Sequence, residues 1–253
     1  MIKKPKVSII TISYNSAATI EKTIQSVEEQ TYQNIEYIVI DGNSKDGSEE
    51  IFNKYDSIID ILLKENDQGI YDAMNKGIIR ASGEIIGFIN SDDFLSSPEI
   101  IKKIAHEFSF HNPDMVYGDK KYVDRINTEI TKRIWKAGKF KISNLKYGWM
   151  PPHLSTYVKR EIFMKNGLYR TDMMIASDYE FFIRSILNND LNIRYLPEII
   201  AVMREGGISN KSLKNRLISL KEVYTSWKLN GKNVSPFIML FKPLFKIPQY
   251  FRR

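Results

Sequence analysis

Val7-Ser8-Ile9-Ile10-Thr11-Ile12-Ser13-Tyr14-Asn15 is the stretch that decides the fold of this chain. Val7 to Ile12 is a run of mainly β-branched residues, the pattern of a strand buried on both faces. It stops abruptly on Ser13, Tyr14 and Asn15, which offer hydrogen bonds and turn geometry. Ala17 to Glu29 then has the spacing of an amphipathic helix. The same alternation recurs downstream. Ile35 to Ile40 is a second buried strand, and Asp46 with Glu49 has capping-box spacing for a helix to about Tyr55. Ile58 to Leu63 reads as a third strand, Ile70 to Arg80 as a helix, and Glu84 to Ile89 as a fourth strand. Strands alternating with helices predict an α/β domain with a mainly parallel central sheet flanked by helices.

Beyond Asp93 the pattern loosens. Ser97-Pro98 opens a helix to about Phe108, Met115 to Tyr117 is strand-like, and Tyr122 to Trp135 reads as an antiparallel excursion. Lys139 to Pro152 is a long connection of the kind that carries function more often than core. Asp178 to Leu187 is a helix for which Ser177 and Glu180 have capping-box spacing.

Composition narrows the function. The 253 residues are 43% hydrophobic and 26% charged, an ordinary globular balance. The absence of cysteine excludes disulfides, zinc-thiolate sites and cysteine nucleophiles. No cleavable leader follows the basic start, and no run of about 18 apolar residues spans a bilayer. The net charge of +7 is concentrated near Lys3 to Lys6 and after Lys211, while Tyr14 to Asp93 is comparatively acidic. That distribution does not suit a nucleic-acid reader, whose basic residues stand among stacking aromatics or on a recognition helix.

In open parallel sheets, ligands bind outside the carboxyl ends of the strands. Those ends are polar here: Ser13-Tyr14-Asn15, Asp41-Gly42-Asn43-Ser44, Glu65-Asn66-Asp67 and Asn90-Ser91-Asp92-Asp93. Each alone is ordinary turn chemistry. Together they predict one polar rim. No glycine fingerprint of a dinucleotide fold or P-loop is present, so phosphate charge must be met otherwise. Asp92 and Asp93 are hard oxygen ligands suited to Mg²⁺ or Mn²⁺.

These segments, with Asp67-Gln68-Gly69-Ile70-Tyr71-Asp72-Ala73-Met74-Asn75-Lys76-Gly77 and Ala176-Ser177-Asp178-Tyr179-Glu180, resemble the family 2 inverting glycosyltransferases of bacterial surface-polysaccharide type. The resemblance covers roughly Lys6 to Asn210. It implies a GT-A-like nucleotide-diphospho-sugar transferase fold: a catalytic domain over 1–210, with a nucleotide-binding half (1–93) and an acceptor half (94–210), then a basic helical appendage over 211–253. It also implies a UDP-sugar donor. Asp41 would read uracil, whose N3–H donates to a carboxylate where cytosine presents an acceptor. Thr11 and Tyr14 would flank the base beside Asn15, and Asp67, Gly69 and Asn75 would line the ribose and diphosphate. Met74 stands where relatives often carry Arg. Asn90-Ser91-Asp92 falls on the family's Asp-x-Asp motif with Asn in first place. Asp92 is left as the metal ligand for Mn²⁺ or Mg²⁺, and Asn90 and Ser91 stand near the donor.

Asp178 is the implied general base, although a carboxylate in a helix's first turn is also favoured by the dipole alone. His153 would face the acceptor, a saccharide or lipid-linked saccharide. Arg204 and the 206–209 turn are a candidate closure over the diphosphate. Two other readings stay open: a nucleotidyltransferase releasing pyrophosphate, and a catalytically silent nucleotide-sugar or membrane-binding subunit.

At the C-terminus, Leu213, Leu217, Leu220, Tyr224 and Trp227 share one helical face, and Lys214, Lys221 and Lys228 another. The aromatic and basic segment from Ser235 is broken by Pro236, Pro243 and Pro248. It is too short to span, which predicts an in-plane seat on an anionic membrane surface. The expected location is cytoplasmic, peripheral at the inner face of the cell membrane. The alternative is that these aromatics pack on the catalytic domain or on a second subunit in a homo-oligomer.

Overall fold

The computed structural model describes residues 4–206 and 212–236. Four parallel strands form one half of the sheet: β1 (Val7–Ser13), β2 (Ile35–Asp41), β3 (Ile61–Lys64) and β4 (Ile85–Asn90). They alternate with α1 (Ile20–Glu28), α2 (Ser48–Lys54) and α3 (Ile70–Arg80). Every residue of β1 is buried. Because successive side chains point to opposite faces, both faces of this strand are covered. Helix α3 comes so close that a Cβ on Gly77 would lie 2.5 Å from Ile10 Cγ2, so only glycine fits there.

The second half continues the sheet through β5 (Phe94–Leu95), β6 (Met115–Val123), β7 (Thr131–Trp135), β8 (Thr156–Lys159) and β9 (Ile193–Arg204). The strand order is β3-β2-β1-β4-β8-β6-β9-β5, with β7 paired to β6. Strand β8 runs antiparallel between β4 and β6, so the sheet is mixed where it enters the second half. The expected antiparallel excursion is the β6–β7 hairpin. Helices α4 (Ile100–His111), α5 (Arg160–Asn166) and α6 (Ser177–Leu187) belong to this half.

Several local expectations are corrected. Helix α1 starts at Ile20, with a turn over residues 17–19. Strand β3 is shorter than predicted and sits at the sheet edge, where Leu62 is exposed. Neither capping box forms. At α2 the N-cap is Gly47 at φ +92°; Asp46 accepts from the Ser48 amide, and Glu49 pairs with Lys64. At α6 the Ser177 hydroxyl is enclosed without a partner among the described residues, and Glu180 is held by Arg184 and Asn230. Strands β8 and β9 go beyond the sequence expectation, because neither has clean apolar alternation.

The last described helix, α7 (Leu213–Leu229), packs on α6 through Val223, Ser226 and Trp227. The Trp227 indole donates to the Tyr179 hydroxyl at 3.0 Å, and Tyr179 donates to the Leu145 carbonyl at 2.7 Å. Leu213 and Leu217, expected on the apolar face, are 76% and 68% exposed. The aromatic and basic segment from residue 237 lies outside the described residues.

Candidate active site

The rim predicted at the strand ends is built by side chains that tie one loop to the next. After β1, Asn15 adopts a positive φ of 47°; its amide donates to Ser44 Oγ (2.8 Å) and its side-chain oxygen accepts from the Lys45 amide (3.0 Å). Ala17 donates to Asp46. After β2, Asn43 donates to Asn66 in the loop after β3 at 3.2 Å. Gly42 lies between two of the predicted residues: a Cβ there would meet Asp67 Oδ2 at 2.8 Å and the Tyr14 ring at 3.0 Å. Tyr14, Gly42 and Asp67, from three separate strand ends, therefore meet in one place. Tyr14 is 67% exposed, so its ring is free to stack.

Asp41 is buried at this junction, and both of its oxygens are engaged by Ser44, the amide at 2.8 Å and the hydroxyl at 2.6 Å. The carboxylate is thus locked in one orientation. Asp67 accepts from the Gly69 amide at 2.9 Å, and Gly69, at φ +115°, caps α3 in a conformation open to glycine. Two residues expected to meet the donor have buried side chains. Thr11 is fully buried and its hydroxyl accepts from Tyr37, so it packs under the rim instead of lining it. Asn75 is also buried, and both ends of its amide bond the backbone of Tyr169, at 2.8 and 2.9 Å. Asn75 joins the two halves of the domain. Met74 is buried in the core.

At the end of β4, Asn90, Ser91 and Asp92 are partly exposed and Asp93 is fully buried. Burial, and then Asp92 beside it, hold the Asp93 carboxyl well above the usual carboxylate range. Asp93 accepts from the Arg204 amide, and Thr23 donates to the Asp93 carbonyl. Arg204 is buried and its guanidinium donates to the Asp92 carbonyl at 2.7 Å, so it fastens the 90–93 loop from behind. Asn90 Oδ1 is a buried oxygen with no partner among the described residues. No group of three or more His, Cys, Asp or Glu side chains forms a metal cage among the described residues. A divalent ion completed by substrate phosphates needs only one or two carboxylates. The Asp92 carboxylate and the orphan Asn90 oxygen fit that requirement.

Two further candidates, His153 and Asp178, lie in the second half of the domain. Asp178, in the first turn of α6, accepts from Tyr179's amide (2.8 Å) and from the Tyr71 hydroxyl (3.2 Å), which also donates to the Ile175 carbonyl. Tyr71 belongs to α3, so the donor-side helix touches the predicted base directly. His153 stacks on Phe88 with ring centroids 5.5 Å apart and shares a 2.8 Å hydrogen bond with Tyr169. Burial pulls its pKa below the ordinary histidine value; Asp178 opposes this shift and Lys120 adds to it. Burial at this position thus favours the neutral imidazole. A small cleft between α3 and the 171–174 loop runs from Gln68 and Gly69 to Met173 and Met174.

The family model for glycosyl transferase family 2 matches residues 8–191, which take in both sides of this site. The chain belongs to glycosyl transferase family 2. Among its relatives, a PGL/p-HBAD biosynthesis glycosyltransferase of Mycobacterium bovis is 31% identical over 211 residues, covering 81% of this chain and 80% of that one. A glycosyltransferase of Haemophilus influenzae is 30% identical over 213 residues, covering 83% of each.

Solved structures share the fold at 18% identity. S. aureus TarS superposes with a TM-score of 0.69 over 98% of this chain, which spans 44% of the TarS chain. The 1–349 portion of TarS in complex with UDP-GlcNAc gives 0.68 over 96% of this chain and 73% of that one. The mannosyltransferase PcManGT of Pyrobaculum calidifontis, in complex with GDP-Man and Mn²⁺, gives 0.66 over 98% of this chain and 70% of that one. The GT-A fold of this family 2 glycosyltransferase is thereby established, with a helical segment after it.

Other residues of the site carry no signal in the sequence. Tyr71 and Tyr169 look like core aromatics at helix or loop positions, and Glu222 lies in the appendage. Its carboxylate nonetheless accepts from the amides of Met174, Ile175 and Ala176, at 2.8, 2.9 and 2.8 Å, just ahead of Asp178. Only contacts distant in sequence reveal these roles.

Proposed function

We propose that this family 2 glycosyltransferase moves a sugar from a UDP-sugar to a hydroxyl of a saccharide acceptor, with inversion at the anomeric carbon. The observation that carries the reading is the Tyr71–Asp178 contact. It sets the Asp178 carboxylate against the helix whose start, with Tyr14, Gly42 and Asp67, forms the donor rim. Uracil lies against Tyr14 with its N3–H directed to Asp41, whose orientation is fixed by Ser44. Asp67, Gly69 and the 90–92 residues line the ribose and diphosphate.

Asp178 takes the proton of the acceptor hydroxyl as that oxygen attacks the anomeric carbon. The bond from that carbon to the β-phosphate oxygen breaks, its electron pair leaves with UDP, and direct displacement inverts the centre. Oδ2 of Asp178 accepts no hydrogen bond among the described residues, which leaves it available for that proton. Asp92 with Asn90 would hold Mn²⁺ or Mg²⁺, which supplies counter-charge to the leaving diphosphate. His153 and its Tyr169 partner form the acceptor wall.

A lipid-linked acceptor at the inner face of the cell membrane, in surface polysaccharide synthesis, is part of the same proposal. It is supported by the exposed Leu213 and Leu217 among Lys214, Arg216 and Lys221, and by the basic aromatic segment that follows. No helix among the described residues is long and apolar enough to cross a membrane. A second subunit remains the alternative contact for that segment. Sedimentation with anionic liposomes by the full chain, and not by a chain ending at Lys232, supports the membrane seat; equal sedimentation rejects it.

The direct test is a panel of nucleotide sugars with Mn²⁺ or Mg²⁺, assayed for released nucleoside diphosphate. Release from UDP-sugars that Asp92→Ala abolishes supports the proposal. Release of pyrophosphate, or turnover in Asp92→Ala equal to wild type, overturns it.

A further inference from the structure

Lys120, on β6, is 6% exposed, yet its ammonium has no hydrogen bond and no ion pair among the described residues. Its amine lies over two aromatic rings, Tyr122 at 5.0 Å and Trp135 at 5.1 Å from the centroids. Arg133 also packs on this hairpin, 3.5 Å from the Tyr122 centroid. These rings hold the cation in place and exclude water from its flanks, but they do not replace a counter-ion.

The surrounding carboxylates are committed elsewhere. Asp119, next in sequence, accepts from the Ala137 amide and the Tyr195 hydroxyl, each at 2.8 Å. Asp93 is bonded to the Arg204 amide, and Asp178 to Tyr71 and Tyr179. The turn that carries His153 bonds β6 one residue away, Ser155 Oγ donating to the Asp119 carbonyl at 3.0 Å, and Lys120 pairs with Ala201 of β9, whose other neighbour is Leu95 just after the 90–93 loop, so Lys120 stands on the strand between the His153 turn and that loop. It is not one of the fully enclosed polar atoms, so it keeps an opening. The facing loop has Asn90 in place of one carboxylate, which leaves that side of the cleft less negative and more receptive to an anion.

We propose that Lys120 is a substrate-binding residue whose ammonium takes a phosphate group entering between the 90–93 loop and His153. The inference rests on the nucleotide-sugar reading above. The phosphate belongs either to the diphosphate of the donor or to a phosphate carried by the acceptor, and in both cases Lys120 supplies charge that the shortened acidic motif does not.

The test compares wild type, Lys120→Met and Lys120→Arg by calorimetry with UDP, with uridine, and with inorganic pyrophosphate added to UDP-saturated protein. A donor contact weakens UDP binding in Lys120→Met by about ten- to a hundredfold, the scale of a charge-assisted hydrogen bond, and leaves uridine binding unchanged; Lys120→Arg restores most of it. An acceptor-side contact leaves UDP binding intact but abolishes a pyrophosphate binding event that wild type shows. If Lys120→Met binds both as wild type does, the inference is overturned.

Should Lys120→Met not fold, the wild-type Lys120 Nζ resonance, assigned by its loss in Lys120→Arg, decides the matter. It shifts on adding UDP or pyrophosphate if Lys120 binds phosphate, and an unmoved signal rejects the role. Wild type that binds no UDP at all refutes the function reading itself, a result distinct from any of these.

Discussion

The loops on the donor side of the cleft are tied to one another: Asn15 to Ser44 and Lys45, Ala17 to Asp46, Asn43 to Asn66, and Asp41 to Ser44 within its own turn. The acceptor side is held from a distance. Asp178 leans on Tyr71, more than a hundred residues earlier, and the loop before it is held by Glu222 from the last described helix. A rim that carries its own bracing is pre-formed, whereas a carboxylate positioned by remote elements depends on the integrity of the whole domain.

The largest effect is expected where the two sides meet. Asp178→Asn keeps the shape of the carboxylate but cannot take a proton, so transfer falls by about 10² to 10⁴ while UDP affinity and melting temperature stay at wild-type values. Rate assays and calorimetry on one preparation check this, and a variant that keeps full rate would assign Asp178 to helix capping alone.

On the donor side, Asp41→Ala weakens UDP by about 1.5 to 3 kcal/mol, because the acceptor for the uracil N3–H is lost together with the Ser44 bonds that orient it. Ser44→Ala separates the two contributions: it keeps the carboxylate and frees its orientation, so its loss in UDP affinity is smaller. Equal affinities in wild type and Asp41→Ala would end the uracil assignment.

Asn75 gives the converse test. Asn75→Ala strands the Tyr169 amide and carbonyl and lowers unfolding free energy by about 1 to 3 kcal/mol, measured by denaturant titration, with UDP affinity unchanged. A selective loss of UDP affinity would return Asn75 to the donor site.

The smallest effect lies at the far end of the same sheet. Burial pushes the Glu36 carboxyl up, but bonds from Ser8, Ser82 and Lys6 outweigh it and bring the pKa to about 2, against an ordinary 4.5. A depressed folded pKa means that this stabilisation is complete above pH 4.5 and is lost as pH falls towards 2. Stability therefore drops by up to about 2 kcal/mol between about pH 7 and pH 3 from this group. Glu36→Gln flattens that acid limb without touching transfer, and an unchanged limb would show that the acid loss arises elsewhere.

The parallel half is legible because its signals are local. β1, β2 and β4 are buried on both faces and read as apolar runs, and each ends on the polar residues that form the rim. In that half a motif gives the positions of Thr11 and Asn75, but only packing shows that Thr11 meets Tyr37 and Asn75 bonds Tyr169. In the second half, β8 is four residues long and β9 mixes apolar and charged residues around Pro197 without alternation, so neither carries a clear period. The α6 capping box does not form because the helix is capped one residue earlier, at Ala176, whose carbonyl takes the Glu180 amide, while Arg184 and the distant Asn230 hold the Glu180 carboxylate.

The Glu222 contact also sets an order of assembly. On a ribosome, the loops after β1, β2 and β3 find their partners once residue 69 has emerged, and the donor rim can close while most of the chain is still to be made. The amides of residues 174–176 must wait for Glu222, close to the end of translation. A nascent chain of this protein therefore has the partners of its strand-end loops long before the loop ahead of Asp178 has Glu222 to hold it, and that loop is the last part of the described site to be braced.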